Sequence, residues 1–209
     1  MVTGQKIIQK NNKNPEKGIA LSIQASLSGL SFFVFNTDTD HIVDLIHKPF
    51  EKKLTPQELL DQVMHCFNTH EVLQQSFSKT TLIHDNEMVT LVPSAIFEEE
   101  HLSDYLKYNT KIFKTDFITY DVIKNDDIMI VYVPFVNINN YIFERFGSFE
   151  YKHSTTVALD RILQIQKNSP KSSMHINIAD TYFDLVVSKL NTLSSTIDLS
   201  IKPKKILFI

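Results

Sequence analysis

The segment that opens the fold alternates between apolar and polar residues, as strands do. Ile19–Ser26, Leu30–Asn36 and Asp40–Lys48 are rich in β-branched and aromatic residues, and Ser28-Gly29 and Thr37–Thr39 separate them. Short runs of this composition with turn residues between them are typical of antiparallel strands. We therefore predict a three-stranded meander at the start of the fold.

The next segment has a helical pattern with a clear start. Thr55 can cap the helix, Pro56 suits its first position, and Glu58 completes a capping box. Apolar residues then recur at helical spacing through about Asn68. The same reasoning predicts the remaining elements: strands at 79–85, 88–93, 117–122, 127–134, 149–153, 174–178 and 183–188, and helices at 94–108, 137–146 and 155–166.

The order of these elements indicates two related domains. Helices and strands alternate after the meander, and a linker at 167–173 precedes a new hairpin. Each domain is expected to be a mixed sheet covered by helices. We predict a disordered polar N-terminus at 1–17, a first domain at 18–168 and the start of a second domain at 169–209.

Glycine is scarce, and this limits the possible binding sites. The chain of 209 residues has four glycines, whereas average usage would give about 15. Neither GxGxxG nor GxxxxGKS or GxxxxGKT occurs. These loops need glycine because their backbone must approach a phosphate closely. The two commonest glycine-rich nucleotide loops are therefore excluded.

Charge and cysteine content limit the partners and the compartment. The formal net charge is −3, and Arg145 and Arg161 are the two arginines, so nothing favours a nucleic-acid partner. No apolar signal segment or membrane-spanning run is found in the sequence. A single cysteine, Cys66, excludes an internal disulfide and suits a reducing compartment. We expect a cytoplasmic protein without membrane insertion.

The eight histidines do not form a metal-binding pattern. His65 and His70 are five residues apart and share a helix face poorly. His41 and His47 could share a strand face, but no cysteine or carboxylate cluster completes a set of ligands. We predict no metal site and no catalytic residue, and we expect the histidines to be at the surface or partly buried.

Several phrases, in order, resemble a known bacterial family. They are LSIQASLSGLSFFVFN (21–36), TLVPSAIFEEEHLSDYLKYN (90–109), DDIMIVYVPFVNINNYIFERFG (126–147) and HINIADTYFDLVV (175–187). Over about residues 18–187 the chain resembles domain of unknown function 3822 of Bacteroidetes-type bacteria. It is similar, more distantly, to actin-like ATPases of type IV pilus assembly. The resemblance implies the α/β class with mixed α+β sheets: two ribonuclease-H-like domains around a cleft, as in actin.

The resemblance also implies where a nucleotide would bind. Actin-like ATPases hold nucleotide between two hairpins, one opening each domain, with an Asp-x-Gly-like turn near the phosphates. The first corresponding turn here has Ser26, Ser28 and Gly29 but no aspartate. The second has Asp180 and Thr181 but no glycine. These five residues are the predicted cofactor-binding positions, in two degenerate phosphate turns.

Three functions follow from this resemblance. We expect a non-catalytic scaffold or protein-interaction module that has an unknown protein partner and no cofactor. The alternative is an ATP-binding ATPase or nucleotide sensor that uses Mg-ATP at the five turn residues. A nuclease is a third class, but it needs several clustered carboxylates, and the opening meander has acids only at Asp38, Asp40 and Asp44.

The end of the chain departs from the family text. The resemblance stops at Ser188, and codons can be chosen for which one added T after Leu193 restores an aromatic-rich, family-like reading. We hypothesise that residues from about Ser194 follow a one-base deletion and that the second domain is truncated. Resequencing the gene tests this hypothesis, because the family-like phrase must then appear in the shifted frame.

Overall fold

The computed structural model describes residues 5–7, 18–108, 110–123, 128–166, 172–178 and 183–188. The chain divides into two compact units, Met1–Val157 and Ala158–Ile209. The described residues form eleven strands and four α-helices: β1 (Gln5–Ile7), β2 (Ile19–Ser26), β3 (Gly29–Asn36), β4 (His41–Pro49), α1 (Pro56–Thr69), β5 (Lys79–Asp85), β6 (Val89–Pro93), α2 (Leu102–Leu106), β7 (Thr119–Ile123), β8 (Ile128–Tyr132), α3 (Val136–Phe146), β9 (Phe149–His153), α4 (Ser154–Gln166), β10 (Ser173–Ile178) and β11 (Phe183–Ser188).

The larger sheet has six strands in the order β1-β9-β5-β2-β3-β4. Strands β2, β3 and β4 form the predicted antiparallel meander, and β5 and β9 add to β2 in parallel. A meander beside parallel strands, with helices in the connections, is the mixed arrangement that the element order predicted. The C-terminal ends of β2, β5 and β9 therefore lie side by side at one edge of the sheet.

Strand β1 adds to the far side of this sheet. Gln5–Ile7 pairs antiparallel with β9, within the segment that the sequence predicted to be disordered. An edge strand offers a row of backbone donors and acceptors to any neighbouring chain segment, so pairing overrides the polar composition here. These three residues are therefore paired in the structure.

The main hydrophobic core lies on one face of the larger sheet, against α1 and α3. Alternate residues of β2 and β3 point into it, as the period of two requires. The rings of Phe32 and Phe67 meet edge to face, with centroids 5.4 Å apart. Fully burying a side chain of this size contributes about 1.5–3 kcal/mol. The residues of this core include Leu21, Ile23, Ala25, Leu30, Phe32, Val34, Leu59, Val63, Cys66, Phe67, Leu82, Ile138 and Ile142.

Helix α1 begins as the sequence predicted. The Thr55 hydroxyl accepts a hydrogen bond from the Glu58 backbone N–H at 3.2 Å, and the Glu58 carboxylate accepts one from the Thr55 N–H at 2.7 Å. Pro56 occupies the first turn, where no intrahelical N–H bond is lost. These three residues fix the start of the helix that covers the core.

A smaller antiparallel sheet, β6-β8-β7, is formed by residues between β5 and α3. Its central strand β8 is a continuous apolar run, as is typical of a strand that is buried on both faces. Met129 and Val131 pack in a cluster with Leu106 of α2, while Ile130 and Tyr132 are also buried. Burial of successive residues confirms that both faces of β8 are covered.

The predicted continuous helix at 94–108 is wrong. Single 3-10 turns form at Ser94–Ile96 and Glu99–His101, and only Leu102–Leu106 is α-helical. The Tyr105 hydroxyl donates to the Ile96 carbonyl at 2.8 Å and accepts from the Glu98 N–H at 2.9 Å. This side chain satisfies backbone groups that a helix would otherwise pair, so the segment folds back on itself.

The second unit contains the predicted hairpin. Strands β10 and β11 pair antiparallel from Ser173 opposite Ser188 to Ile178 opposite Phe183. The turn between them lies outside the described residues. None of the helices within the described ranges is long and apolar enough to span a membrane.

Candidate functional site

The turn between β2 and β3 brings together three of the five predicted binding residues. The Ser26 and Ser28 hydroxyls are 3.0 Å apart, and the Ser28 backbone N–H donates to the Ser26 hydroxyl at 3.2 Å. The loop after β4 binds the same turn, because the N–H groups of Phe50 and Leu54 donate to the carbonyls of Ser28 and Leu27. The turn is therefore closed by its own hydrogen bonds and by its neighbour.

Gly29 does not have a left-handed backbone, and its protein neighbours leave room for a β-carbon. Among the described glycines, the left-handed conformation occurs at Gly18 and Gly147. A β-carbon at Gly29 would lie 3.4 Å from the Lys48 carbonyl oxygen and 3.6 Å from the Pro49 α-carbon, which are ordinary contact distances. An alanine therefore fits at this position.

Asp85 adds a carboxylate that the sequence interpretation missed. It ends β5 and lies opposite Ser26 in the parallel register. Its carboxylate accepts hydrogen bonds from the Gln24 amide at 3.0 Å and the Ser154 hydroxyl at 2.9 Å. The signal was present, because strand 79–85 ends on an acid and the ends of parallel strands are common ligand positions.

The edge formed by Ser26, Ser28, Asp85 and Ser154 is thus rich in hydroxyls and carries a negative charge. Such an edge suits a cation or hydrogen-bond donors from a partner. It opposes a phosphate unless a cation lies between the two negative groups. The other two predicted binding residues, Asp180 and Thr181, lie outside the described residues, so their role remains a prediction.

A buried polar cluster lies next to this edge and connects the two sheets of the first unit. One oxygen of Asp121, on β7, accepts the Tyr132 hydroxyl at 3.2 Å. Its other oxygen accepts the His153 backbone N–H at 2.9 Å and the Thr156 hydroxyl at 2.6 Å. The Asp121 carboxylate therefore joins the smaller sheet to the end of β9 and the first turn of α4.

Burial dominates the ionisation of this carboxylate. It raises the pKa of Asp121 to about 6, although the hydrogen bonds from Thr156, His153 and Tyr132 favour the charged form. Burial and the neighbouring Asp121 also raise the pKa of the Tyr132 hydroxyl, which consequently stays protonated. At neutral pH a charged Asp121 is held by three donors.

Two histidines of this region are fully buried, which corrects the expectation that the histidines are at the surface or partly buried. The Phe135 N–H donates to His84 Nδ1 at 3.2 Å, so His84 Nε2 carries the proton and donates to the Asn139 side-chain oxygen at 3.0 Å. Burial, together with the neighbouring His153, lowers the pKa of His84 to about 3. His84 is therefore neutral in the folded protein.

His153 is held in the same tautomer. Its Nδ1 accepts from the Thr155 N–H at 3.1 Å, so its Nε2 donates to the Asn86 carbonyl at 3.1 Å. Burial lowers the pKa of His153 to about 4. His84 and His153 are opposite one another on β5 and β9. Both occupy inward positions of their strands, and that alternation was the sequence signal for their burial.

Within the described ranges, no group of three or more His, Cys, Asp or Glu side chains is placed to hold a metal ion. The clustered carboxylates required by the nuclease alternative are thus not found among these residues. Asp85 and Asp121 are the two aspartates whose carboxylates accept the hydrogen bonds described above. Their surroundings differ, since Asp85 is half-buried and Asp121 is buried.

Comparison with known proteins identifies the family. The family model described as protein of unknown function (DUF3822) matches residues 8–194. The chain belongs to this family. The predicted resemblance is thereby confirmed over most of the chain. No curated protein matches it.

Solved structures confirm the fold of this DUF3822 chain. It is similar to a Bacteroides thetaiotaomicron protein with an actin-like ATPase fold and unknown function, at 18% identity and a TM-score of 0.73, covering 83% of this chain and 66% of that one. It is also similar to the PilM–PilN type IV pilus biogenesis complex, at 11% identity and a TM-score of 0.52, covering 88% and 60%. The chain spans about two thirds of the length of these structures or less. At such identities the likeness shows an actin-like fold.

A weaker match is the cytoplasmic domain of EpsL, an inner-membrane component of the type II secretion system of Vibrio cholerae. Its identity is 9% and its TM-score is 0.43, covering 83% of this chain and 69% of that one.

Proposed function

We propose that this DUF3822 protein is a non-catalytic, cytoplasmic actin-like scaffold that works through contact with a protein partner. Its first actin-like domain would extend over 18–168, and the start of a second domain over 169–209. The nucleotide cleft of the actin-like fold would be degenerate in this protein. This proposal takes up the function that the sequence favoured.

The observation that carries the proposal is the hydrogen bonding of the β2–β3 turn. A phosphate-binding turn must aim free N–H groups and hydroxyls at its ligand. Here the Ser28 N–H and the two serine hydroxyls bond within the turn, and Asp85 adds a negative charge opposite Ser26. Binding a nucleotide would require breaking these contacts and neutralising that charge.

A protein partner is supported by one structural neighbour. The PilM–PilN structure is described as a complex in type IV pilus biogenesis, so a similar fold occurs there in contact with another protein. This likeness supports contact with a partner as a use of the fold. It does not identify the partner of this chain.

The alternative remains an ATP-binding ATPase or nucleotide sensor. The observation that favours it is the position of Ser26, Ser28 and Gly29. They lie at the C-terminal end of β2 and in the turn after it, in a chain with an actin-like fold. Asp180 and Thr181 would supply the second turn. Mg²⁺ would have to offset the charge of Asp85 if the phosphates approached this edge.

A thermal-shift titration of the full chain with millimolar Mg-ATP separates the two functions. A ligand that binds the native state must raise its melting temperature, so the scaffold proposal predicts no rise. The double variant Ser26→Ala/Ser28→Ala is the matched control, and it should give the same flat titration. A rise in the wild type that shrinks in the double variant would overturn the scaffold proposal in favour of the nucleotide sensor.

A further inference from the structure

Strand β4 is an exposed apolar edge of the larger sheet. Among the described residues its hydrogen-bonded neighbour is β3, so its other side has no strand partner there. Ile42, Val43 and Leu45 are 63%, 48% and 61% exposed. A long edge with apolar side chains favours pairing with a strand from another molecule.

The backbone of β4 shows which groups face outward. Leu45 donates its N–H to the Asp44 carboxylate at 2.8 Å and not to β3. Phe50, which is five residues further along the chain, donates its N–H to the carbonyl of Ser28, the residue just before β3. In an antiparallel pair, alternate residues bond to the neighbouring strand. Leu45 and His47 therefore direct their N–H and C=O groups away from β3, and the Asp44 carboxylate covers one of these donors.

We propose that β4 pairs antiparallel with β4 of a second copy of this chain, about a two-fold axis through Ile46. Leu45 of each copy would exchange backbone hydrogen bonds with His47 of the other. Asp44 of each copy would then lie opposite Lys48 of the other, on one face of the joined sheets. The Leu45 N–H would leave the Asp44 carboxylate and join the ladder.

The charges on β4 favour this register, and they favour a second copy of the chain as the partner. Asp44 and Lys48 are four residues apart on one strand, so they lie on the same face of the sheet. In an antiparallel pair of two copies, the aspartate of one copy can therefore lie opposite the lysine of the other. An axis through Asp44 would place two aspartates opposite each other. An axis through Leu45 or His47 would place a charged residue opposite Ile46. Only the axis through Ile46, among these four, forms two opposite-charge pairs.

The apolar side chains fit the same arrangement. Leu45 lies opposite Phe33 in the β3–β4 register, and the Phe33 ring stacks on Phe35 with centroids 5.9 Å apart. Edge pairing would bring Leu45 of each copy beside His47 of the other and reduce its exposure. The dimer does not rest on the proposed scaffold function, because it is argued from the outward groups and charges of β4 and not from the hydrogen bonds of the β2–β3 turn.

Charge reversal and charge exchange test the proposal. Sedimentation velocity is measured on the full chain over a range of concentrations for wild type, Asp44→Lys, Lys48→Asp and the double variant that carries both. We expect the wild type to dimerise, and each single variant to associate about tenfold more weakly because two like-charge pairs replace two opposite-charge pairs. The double variant restores both pairs and should dimerise like the wild type.

A control separates the register from net charge. Asp61→Lys on the exposed face of α1 changes the charge as Asp44→Lys does, and it should leave dimerisation unchanged. The melting temperature of each variant verifies that it folds. A wild type that stays monomeric at its highest soluble concentration would overturn the proposal. Equal association of all the variants, or no recovery in the double variant, would also overturn it, because the contact would then lie on another surface.

Discussion

Two aspartates near the end of β5 show how position changes the role of one chemical group. Asp85 lies half-buried at the carboxyl edge and accepts bonds from Gln24 and Ser154. Asp121 is buried between the sheets and accepts bonds from Tyr132, His153 and Thr156. Water can replace the donors of Asp85, whereas water cannot reach Asp121. The first suits a contact with a ligand or partner, and the second connects the fold.

The same contrast extends to the neighbouring side chains. The hydroxyls of Ser26 and Ser28 are only partly buried, and they bond to each other within their turn. His84 and His153 are enclosed, and each has both ring nitrogens bonded. An unsatisfied buried polar group costs about 1–3 kcal/mol, and more if it is charged. Burial therefore decides which of these polar residues the fold depends on.

The largest effect is expected from removing the buried carboxylate. Asp121→Ala leaves the Tyr132 hydroxyl, the His153 N–H and the Thr156 hydroxyl without their acceptor. We expect the free energy of unfolding, measured by urea denaturation, to fall by about 3–5 kcal/mol.

Asp85→Ala is the matched control for this prediction. It removes a carboxylate with two side-chain donors at the solvent edge, and we expect a loss of about 1 kcal/mol or less. Equal losses for Asp85→Ala and Asp121→Ala would contradict the contrast between the two positions. If Asp121→Ala is too unstable to purify while Asp85→Ala folds normally, that result agrees with the contrast.

An intermediate effect is expected from pH. The pKa values of His84 and His153 are lowered to about 3 and 4 in the folded state, so between about pH 6.5 and 4 the unfolded chain binds protons that the folded protein does not. Asp121 has the opposite effect on stability. Its pKa is raised to about 6 in the folded state, so in this pH range the folded protein binds a proton there that the unfolded chain does not. Two histidines outweigh one aspartate, so stability should fall as pH drops from about 6.5 to 4, by about 1.4 kcal/mol per pH unit for each net proton.

Urea denaturation at a series of pH values measures this dependence. In His153→Gln one of the two histidine contributions is removed, so the slope over the same range should become flatter. Asp61→Lys, far from the buried cluster in the sequence and exposed on α1, provides a comparison variant. A slope that stays the same in His153→Gln would show that other groups determine the acid sensitivity.

The smallest effect is expected at Gly29. Because its backbone is not left-handed and a β-carbon fits, Gly29→Ala should change the free energy of unfolding by less than about 0.5 kcal/mol. Gly18→Ala is the matched comparison, since Gly18 has φ of +85° and a β-carbon there would clash with the Asp38 carboxylate.

We expect Gly18→Ala to cost about 1 kcal/mol or more. Urea denaturation of both variants measures the difference. A larger loss at Gly29 than at Gly18 would show that the β2–β3 turn is more constrained than its hydrogen bonds indicate, and would renew the case for a specialised turn.

Local patterns were sufficient for most of the elements. Strands Ile19–Ser26, Lys79–Asp85 and Phe149–His153 have the predicted bounds, because their alternation and flanking turn residues are local signals. The capping box at Thr55 and Glu58 was equally predictable from the sequence, since both residues lie within one turn of the helix. The segment at 94–108 was not, because the Tyr105 hydroxyl competes for backbone groups through a fold-back that periodicity does not describe.

The candidate site was predictable only in part. Ser26, Ser28 and Gly29 are neighbours in sequence, so their grouping needed no tertiary information. Asp85 joins them because β5 lies parallel to β2, a pairing across a long connection. The buried cluster is harder still, because Asp121 and His153 come from different sheets.

The sequence by itself determined the alternation of strands and helices, the start of α1, the family resemblance and the shortage of glycine in the turns. These depend on residues close together along the chain or on composition. Tertiary structure alone decided that Asp85 lies opposite Ser26, that His84 and His153 are buried and neutral, and that β4 is an edge strand among the described residues. The reason is physical: burial and strand pairing are set by segments far apart in sequence, and they determine whether a polar group is solvated, ionised or available to a partner.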